Sequence, residues 1–209
     1  MTLSTQIRAD YEKRFLILEN VAARLERHIA GLLVPPIRID RISARAKSPD
    51  RYYQKATKPD DDGKIKYDNP QYQIQDQIGA RITVFYLSDI DRIRDSIESY
   101  FKFIEVKKKA PSSDSEFGYF GLHFILEMPA DVIPEGNEDD IPEFFELQIK
   151  TLFQHAWSEA HHDLGYKSLR DLTGDERRKV AFTAAQAWGA DTIFQELANS
   201  LVLNDNDIL

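Results

Sequence analysis

The chain has 209 residues and no cysteine. That absence excludes disulfides, thiolate metal sites and thiol nucleophiles. No apolar run approaches twenty residues, so no membrane span is expected. The opening segment, MTLSTQIRADYEKRF, is polar and helix-like and lacks the apolar centre of a signal peptide. A cytoplasmic location is the expectation. Strict GxGxxG and P-loop patterns are missing, which argues against a Rossmann or Walker site. Internal repeats and low-complexity blocks are missing as well.

Charge is plentiful but uneven. Asp and Glu number 35 against 27 Lys and Arg, for a net charge of −8 and a pI near 5.2. That balance argues against a general nucleic-acid coat while leaving room for a local basic groove. Residues 38–66 and 102–109 are rich in Arg and Lys, whereas 131–146 and the last ten residues are acidic. The acidic tract reads as a solvated loop between strands. The length suits one domain over 1–209. Its core spans about 37–167, with a helix at 4–32 before it and another at 174–203 after it.

Periodicity gives the elements. Ile7, Tyr11, Phe15, Leu18, Val21, Leu25 and Ile29 recur near 3.6 residues, and Gly31 with Pro35-Pro36 ends that helix. Strands are expected at 37–44, 78–86, 101–106, 118–128 and 143–150. Helices are expected at 48–57, with Ser48 before Pro49 as its cap, from Ser88 as cap to about 101, and from Thr151 to about 164. The stretch KPDDDGKIKYDNP reads as a mobile loop. In the last helix Phe182, Ala185, Trp188, Phe194, Leu197 and Leu201 form the apolar side. Five strands with helices at both ends imply an α+β fold with a mixed, mainly antiparallel sheet.

Asp76 and Glu146 stand in two short strand-like runs, IQDQIGARITV and FFELQIKT. A carboxylate in such a run is costly unless something pairs with it. Alternation places Phe145, Leu147 and Ile149 on one face and Glu146, Gln148 and Lys150 on the other. The same rule sets Leu122, Phe124 and Leu126 against Tyr119, Gly121 and His123. The second face is either a polar cleft or a water-facing surface. Asp76 as a turn cap and Glu146 as an exposed strand residue are the plain alternatives. As a cleft, two convergent carboxylates with Arg45, Lys47, Lys55 and Arg81 have the composition for Mg²⁺-assisted phosphate chemistry on a nucleotide. His155, Glu159 and His162 share a helical face at i, i+4 and i+7, a spacing also found in zinc sites. Trp157 with Phe153, Ala160 and Leu164 reads as core.

ARAK at 44–47, Lys55, DQIGAR at 76–81, GYFGLH at 118–123 and ELQIKT at 146–151 together resemble the synthetase domain of RelA/SpoT-type alarmone synthetases. Order and local gaps agree across about residues 40–167, and QHAWSEAHHDLGYK resembles the helix that follows the last strand in small members of the family. The resemblance implies a nucleotidyltransferase-like fold. It also implies Mg²⁺-dependent transfer of the β,γ-pyrophosphate of ATP to the 3′-hydroxyl of GDP or GTP. Arg45 and Arg81 would sandwich the adenine, and Lys47 and Lys55 would contact the phosphates. Asp76 would bind the metal, and Glu146 would act as general base or second ligand. Tyr119 would stack on the acceptor base, with His123, Gln148 and Lys150 on the acceptor side.

Four departures from the family pattern fall on that acceptor side: Phe117 for Asn, Gly121 for Ser, Lys150 for Arg, and APSSDSEF in place of a basic segment. They leave two alternatives open. One is a toxic small synthetase that acts on the tRNA 3′ end or on adenine nucleotides and is paired with an antitoxin protein. For a tRNA acceptor, Lys107–Lys109 or Arg177–Lys179 supply a basic strip. The other is an inactive nucleotide-binding regulator. The terminal helices read as packing or homo-oligomer contacts. The N-terminal region holds only His28, so it lacks the histidine–aspartate metal pattern of an alarmone hydrolase.

Overall fold

The computed structural model describes residues 3–33, 35–60, 62–109, 111, 113, 116–118, 121–167 and 170–201. The elements follow in the order α1 (Leu3–Leu32), β1 (Ile39–Ala46), α2 (Pro49–Ala56), α3 (Pro70–Gln73), β2 (Ile78–Val84), α4 (Leu87–Tyr100), β3 (Phe103–Lys109), β4 (Gly121–Glu127), β5 (Phe144–Thr151), α5 (Leu152–Lys167) and α6 (Gly174–Leu201). The five strands form one sheet in the order β1-β2-β5-β4-β3. Only the β2–β5 pair is parallel, and the other three neighbouring pairs are antiparallel. This is the mixed, mainly antiparallel α+β sheet expected from the sequence.

Alternation places the core. Phe145, Leu147, Ile149, Phe124, Leu126, Ile78 and Ile82 are fully buried on one face of the sheet. Burying one such side chain contributes about 1.5–3 kcal/mol. α1 closes this face with Tyr11, Leu18, Val21, Leu25 and Ile29, the same periodic positions read from the sequence. Ile93 and Ile97 of α4 complete it.

Several boundaries differ from expectation, each for a local reason. Ser88 does not cap α4, which starts at Leu87 after Tyr86. The Ser88 amide instead donates to Gln195 of α6 at 2.8 Å. Ser48 does precede α2, but its side chain makes no capping bond. β3 begins two residues later than expected because Phe101 turns into the core at the end of α4. The segment after α2 is tied locally, with the Asp60 carboxylate accepting from the amides of Asp62 and Lys64. Thr151 ends β5, and its hydroxyl accepts the Gln154 amide at the start of α5. In α6 the buried positions are Ala184, Asp191 and Ala198. Phe182, Trp188 and Leu201 on the expected apolar side are largely exposed, as is Leu164 of α5. α6 thus packs through Ala184, Asp191 and Ala198, while Trp188 meets Phe117 and Phe194 stacks on Phe153 beside that seam.

One polar residue is central to the packing. Arg14 of α1 is 5% exposed. It donates to the Gln77 side-chain oxygen at 2.5 Å and to the Asp140 carbonyl at 2.7 Å. Gln77 is itself fully buried and donates to the carbonyls of Gln71 and Ile74. Removing the guanidinium strands both acceptors, and each lost bond to a charged group costs about 1.5–3 kcal/mol. Arg14→Leu is therefore expected to lower stability by roughly 3–6 kcal/mol in urea denaturation. A loss below about half a kcal/mol would show that this buried network does not hold the fold.

Candidate active site

The register allows the polar face of the sheet to be read in rows. One row crosses β1 to β3 as Arg45, Gly79, Glu146, Ile125 and Glu105. The adjacent row is Ser43, Arg81, Gln148, His123 and Lys107. Residues scattered over more than a hundred positions thus become neighbours on one face. A Cβ built on Gly79 would meet no atom within 4 Å, so the floor between Arg45 and Glu146 is open to a ligand.

Asp76 reaches this face from a turn between α3 and β2, not from a strand as expected. Its position is set by its neighbour, the buried Gln77, whose carbonyl accepts the Lys47 amide at 2.8 Å. Two ammonium groups flank the carboxylate, Lys47 at 3.0 Å and Lys55 at 2.9 Å. Both lysines are fixed from below. Tyr11 of α1 donates to the Lys47 carbonyl at 2.7 Å, and its ring stacks on Tyr52 of α2 with centroids 3.8 Å apart. Tyr52 lies one helical turn before Lys55.

Glu146 has different company. His123 Nδ1 donates to one carboxylate oxygen at 2.7 Å, and the Gln148 amide approaches the other at 3.3 Å. Burial pushes this carboxyl up. The His123 hydrogen bond and charge, the Gln148 amide and the Lys109 charge outweigh it and hold the pKa down at about 2.

Asp76 and Glu146 line two adjoining clefts. The larger, of about 550 Å³, is also lined by Arg45, Lys47, Arg81 and Gln148. The smaller, of about 180 Å³, is lined by Lys55, Lys107, Lys109, His123 and Tyr67. The pair of carboxylates therefore forms their common wall. In the larger cleft the Arg81 Nε and Gln148 Oε1 atoms are buried without a hydrogen-bond partner among the described residues. They are cross-strand neighbours, one a donor and one an acceptor, as a ligand with polar edges requires. Hard carboxylate oxygens suit Mg²⁺. Among the described residues no three acidic or histidine side chains gather around one point. An ion held by Asp76 and Glu146 would complete its shell from phosphates and water.

Arg45, Lys47 and Arg81 thus meet in one cleft with both carboxylates. Lys55, grouped by resemblance with the ATP residues, lines the smaller cleft. Gln148, expected on the acceptor side, faces the larger one. Lys150 lines neither cleft. It is buried against α5 and donates to the Ser158 hydroxyl at 3.1 Å. Burial first, then the charge of Arg81, pushes its pKa down to about 8. Tyr119 lies outside the described residues. The sequence reading gave no individual roles to His155 and Glu159, which hold Arg81 from α5 at 3.1 and 2.8 Å. Burial, followed by the charge of Arg81, pushes the His155 pKa down, so its ring accepts this bond at neutral pH. The i, i+4 spacing was the available signal, and it marks a brace for Arg81 here.

A family model described as "Region found in RelA / SpoT proteins" matches residues 44–171. Among solved structures, small alarmone synthetase 1 from Bacillus subtilis aligns at 20% identity, over 91% of this chain and 97% of its own, with a TM-score of 0.72. That protein has also been solved bound to its product pppGpp and to AMPCPP. Small alarmone synthetase 2 from Bacillus subtilis aligns at 19% identity, over 92% and 100% of the two chains, with a TM-score of 0.72. These likenesses establish the shared fold. No curated protein matches the chain.

The Glu146 environment generates a pH prediction. A pKa depressed in the folded state contributes stability above the ordinary carboxylate range, and that stability is lost as pH falls toward about 2. Carbon-13 NMR of the glutamate carboxyls should find one group titrating near that value. In His123→Gln the same group should move up toward the ordinary range. An unmoved titration would exclude His123 as the main favourable partner.

Proposed function

The chain belongs to the RelA/SpoT family, and on that premise we propose that it is an ATP:nucleotide 3′-pyrophosphotransferase. The observation that carries this reading is the shared wall: Asp76 and Glu146 line both clefts. A donor nucleotide in one and an acceptor in the other would meet at the carboxylate pair. In the reaction, the acceptor 3′-oxygen bonds to the β-phosphorus of ATP. The bond from that phosphorus to the α,β-bridging oxygen breaks, AMP leaves, and the hydroxyl proton is lost.

The larger cleft fits ATP. Arg45 and Arg81 offer guanidinium groups on adjacent strands for the adenine. The open floor at Gly79 admits the nucleotide between Arg45 and Glu146. Lys47 meets the phosphates there, and Lys55 does so from the far side of Asp76. Asp76 and Glu146 would hold Mg²⁺, which supplies neutralisation of the transferring phosphate charge. A carboxylate held at about 2 is a weak proton acceptor at neutral pH. Glu146 therefore suits a charge-bearing role, holding the ion or orienting the hydroxyl, better than that of final proton sink. The transferring group needs positioning and electrostatics more than strong base catalysis.

GDP or GTP is the first acceptor in this reading. A different acceptor, the tRNA 3′ end or an adenine nucleotide, is favoured by two placements. Lys150, at the family's arginine position, is occupied with Ser158. Phe117, at the family's asparagine position, packs on Trp188 with ring centroids 5.8 Å apart and offers no hydrogen bond to a base.

Transfer of label from γ-labelled ATP, with Mg²⁺ and separately GDP, GTP, AMP or deacylated tRNA, decides among these acceptors. Label reaching GDP or GTP supports the first reading, label confined to tRNA or AMP supports the second, and no transfer to anything refutes both. Asp76→Asn and Glu146→Gln should each reduce the rate by at least about a hundredfold. Undiminished turnover in either variant would remove the carboxylate pair from the chemistry.

A further inference from the structure

Arg81 lines the larger cleft, whereas His155 and Glu159 of α5 line neither cleft. The two α5 residues therefore reach a bound nucleotide only through Arg81. They meet it at a single atom. Arg81 Nη1 lies 3.1 Å from His155 Nδ1 and 2.8 Å from Glu159 Oε1. A guanidinium can only donate, so Nδ1 accepts and the ring proton sits on Nε2. His155 Nδ1 and the same Glu159 oxygen are 3.9 Å apart. The histidine is also tied to the sheet. Its carbonyl accepts from the Ser158 hydroxyl at 3.0 Å, and that hydroxyl accepts from Lys150 of β5 at 3.1 Å. Ser158 and Lys150 are both buried, so this turn of α5 is a fixed point against which Arg81 is held.

The two acceptors on Arg81 differ in kind. A carboxylate accepts at any pH above its ordinary range, but an imidazole nitrogen accepts only while it is neutral. A protonated His155 would turn an N–H toward the Arg81 N–H, with like charges in contact. Its attractive partner would then be Glu159, the exposed carboxylate 3.9 Å away. The remaining charged groups that face the ring are Lys150 of β5 and Arg41 of β1, and both oppose its protonation. Burial, the Arg81 charge and these two cations hold the ring neutral at pH 7, against the pull of Glu159.

We propose that His155 is a positioning residue for donor-nucleotide binding. Its neutral form holds Arg81 against the base in the larger cleft, and protonation draws Glu159 to the histidine and releases Arg81. The proposal rests on the reading of that cleft as the ATP site. The sign follows from the ring: its ordinary pKa is about 6.5, and its surroundings push it lower. Donor affinity is therefore complete at neutral pH and is lost as pH falls below the ordinary histidine range.

Calorimetry with AMPCPP and Mg²⁺ reads donor affinity without turnover. At about pH 7.5, above the ordinary histidine range, His155→Leu should weaken binding at least about fivefold. His155→Asn should restore most of that loss, because its amide oxygen can take the place of Nδ1 beside Arg81. Proton NMR of the ring, assigned by its disappearance in the variants, locates the His155 pKa. Across that value wild-type affinity should fall relative to His155→Asn, which has no ring to protonate. Titration of the nucleotide and of groups common to both proteins cancels in this ratio. During turnover His155→Leu should raise KM for ATP and leave kcat at saturating ATP unchanged, a split that general loss of structure does not give. Glu159→Gln, at an exposed position, supplies a second test if His155→Leu does not fold. It keeps an oxygen for Arg81 but removes the charge that attracts the protonated ring, so the fall in affinity should move to lower pH. Equal affinity in His155→Leu, parallel pH profiles for wild type and His155→Asn, or an unmoved profile in Glu159→Gln overturns the proposal. Binding that ignores His155 refutes this role alone, whereas no AMPCPP binding to the wild type at any pH refutes the ATP reading beneath it.

Discussion

Two carboxylates facing one cleft repel each other, and they stay ionised only if each has cationic or donor partners of its own. This constraint organises the polar face of the sheet. Asp76 is neutralised by Lys47 and Lys55, while Glu146 is held by His123 and Gln148. Each cleft holds one partner from each set: Lys47 and Gln148 line the larger, Lys55 and His123 the smaller. In the proposed reaction a divalent ion with its phosphates would sit beside both carboxylates, and the ammonium groups already in place could turn from carboxylate to phosphate.

The rest of the chain keeps these partners where they are. α1 buries an apolar stripe against the sheet, but two polar residues on it do the positioning. Tyr11 holds the Lys47 carbonyl and stacks on the helix that carries Lys55. Arg14 holds Gln77, the neighbour of Asp76. At the other end, α5 braces Arg81 through His155 and Glu159, and α6 is tied to the end of β5 through Thr151 and Asp191. The helices outside the sheet therefore act on the site through backbone and side-chain hydrogen bonds as well as by covering the core.

Strand identity was legible because alternation is local. Phe145, Leu147 and Ile149 against Glu146 and Gln148 fixes β5 and its two faces without knowledge of the partners. The residue types at the site were legible from the ordered motifs. Pairing was not. His123 and Glu146 are 23 positions apart, and nothing short of the β4–β5 register brings them into contact. Asp76 was misplaced on a strand because the apolar residues that follow it extend the pattern backwards. The turn depends on Gln77 meeting Arg14, a contact across 63 residues. α6 misled for a different reason. Its large apolar residues have the right period, yet the helix is buried at Ala184, Asp191 and Ala198, and Asp191 is held there by the Thr151 hydroxyl, a polar contact that apolar periodicity does not reveal.

The central claim is that Asp76 and Glu146 jointly hold a divalent ion between the two clefts. Its most direct measurement is a crystal structure of the wild-type chain with AMPCPP and Mn²⁺, recorded at a wavelength where manganese scatters anomalously. The account predicts an anomalous peak at ligand distance from both carboxylates, with the analogue's phosphates in the same shell and the adenine near Arg45 and Arg81. A peak bound to neither carboxylate, or a nucleotide outside the cleft they line, would contradict it.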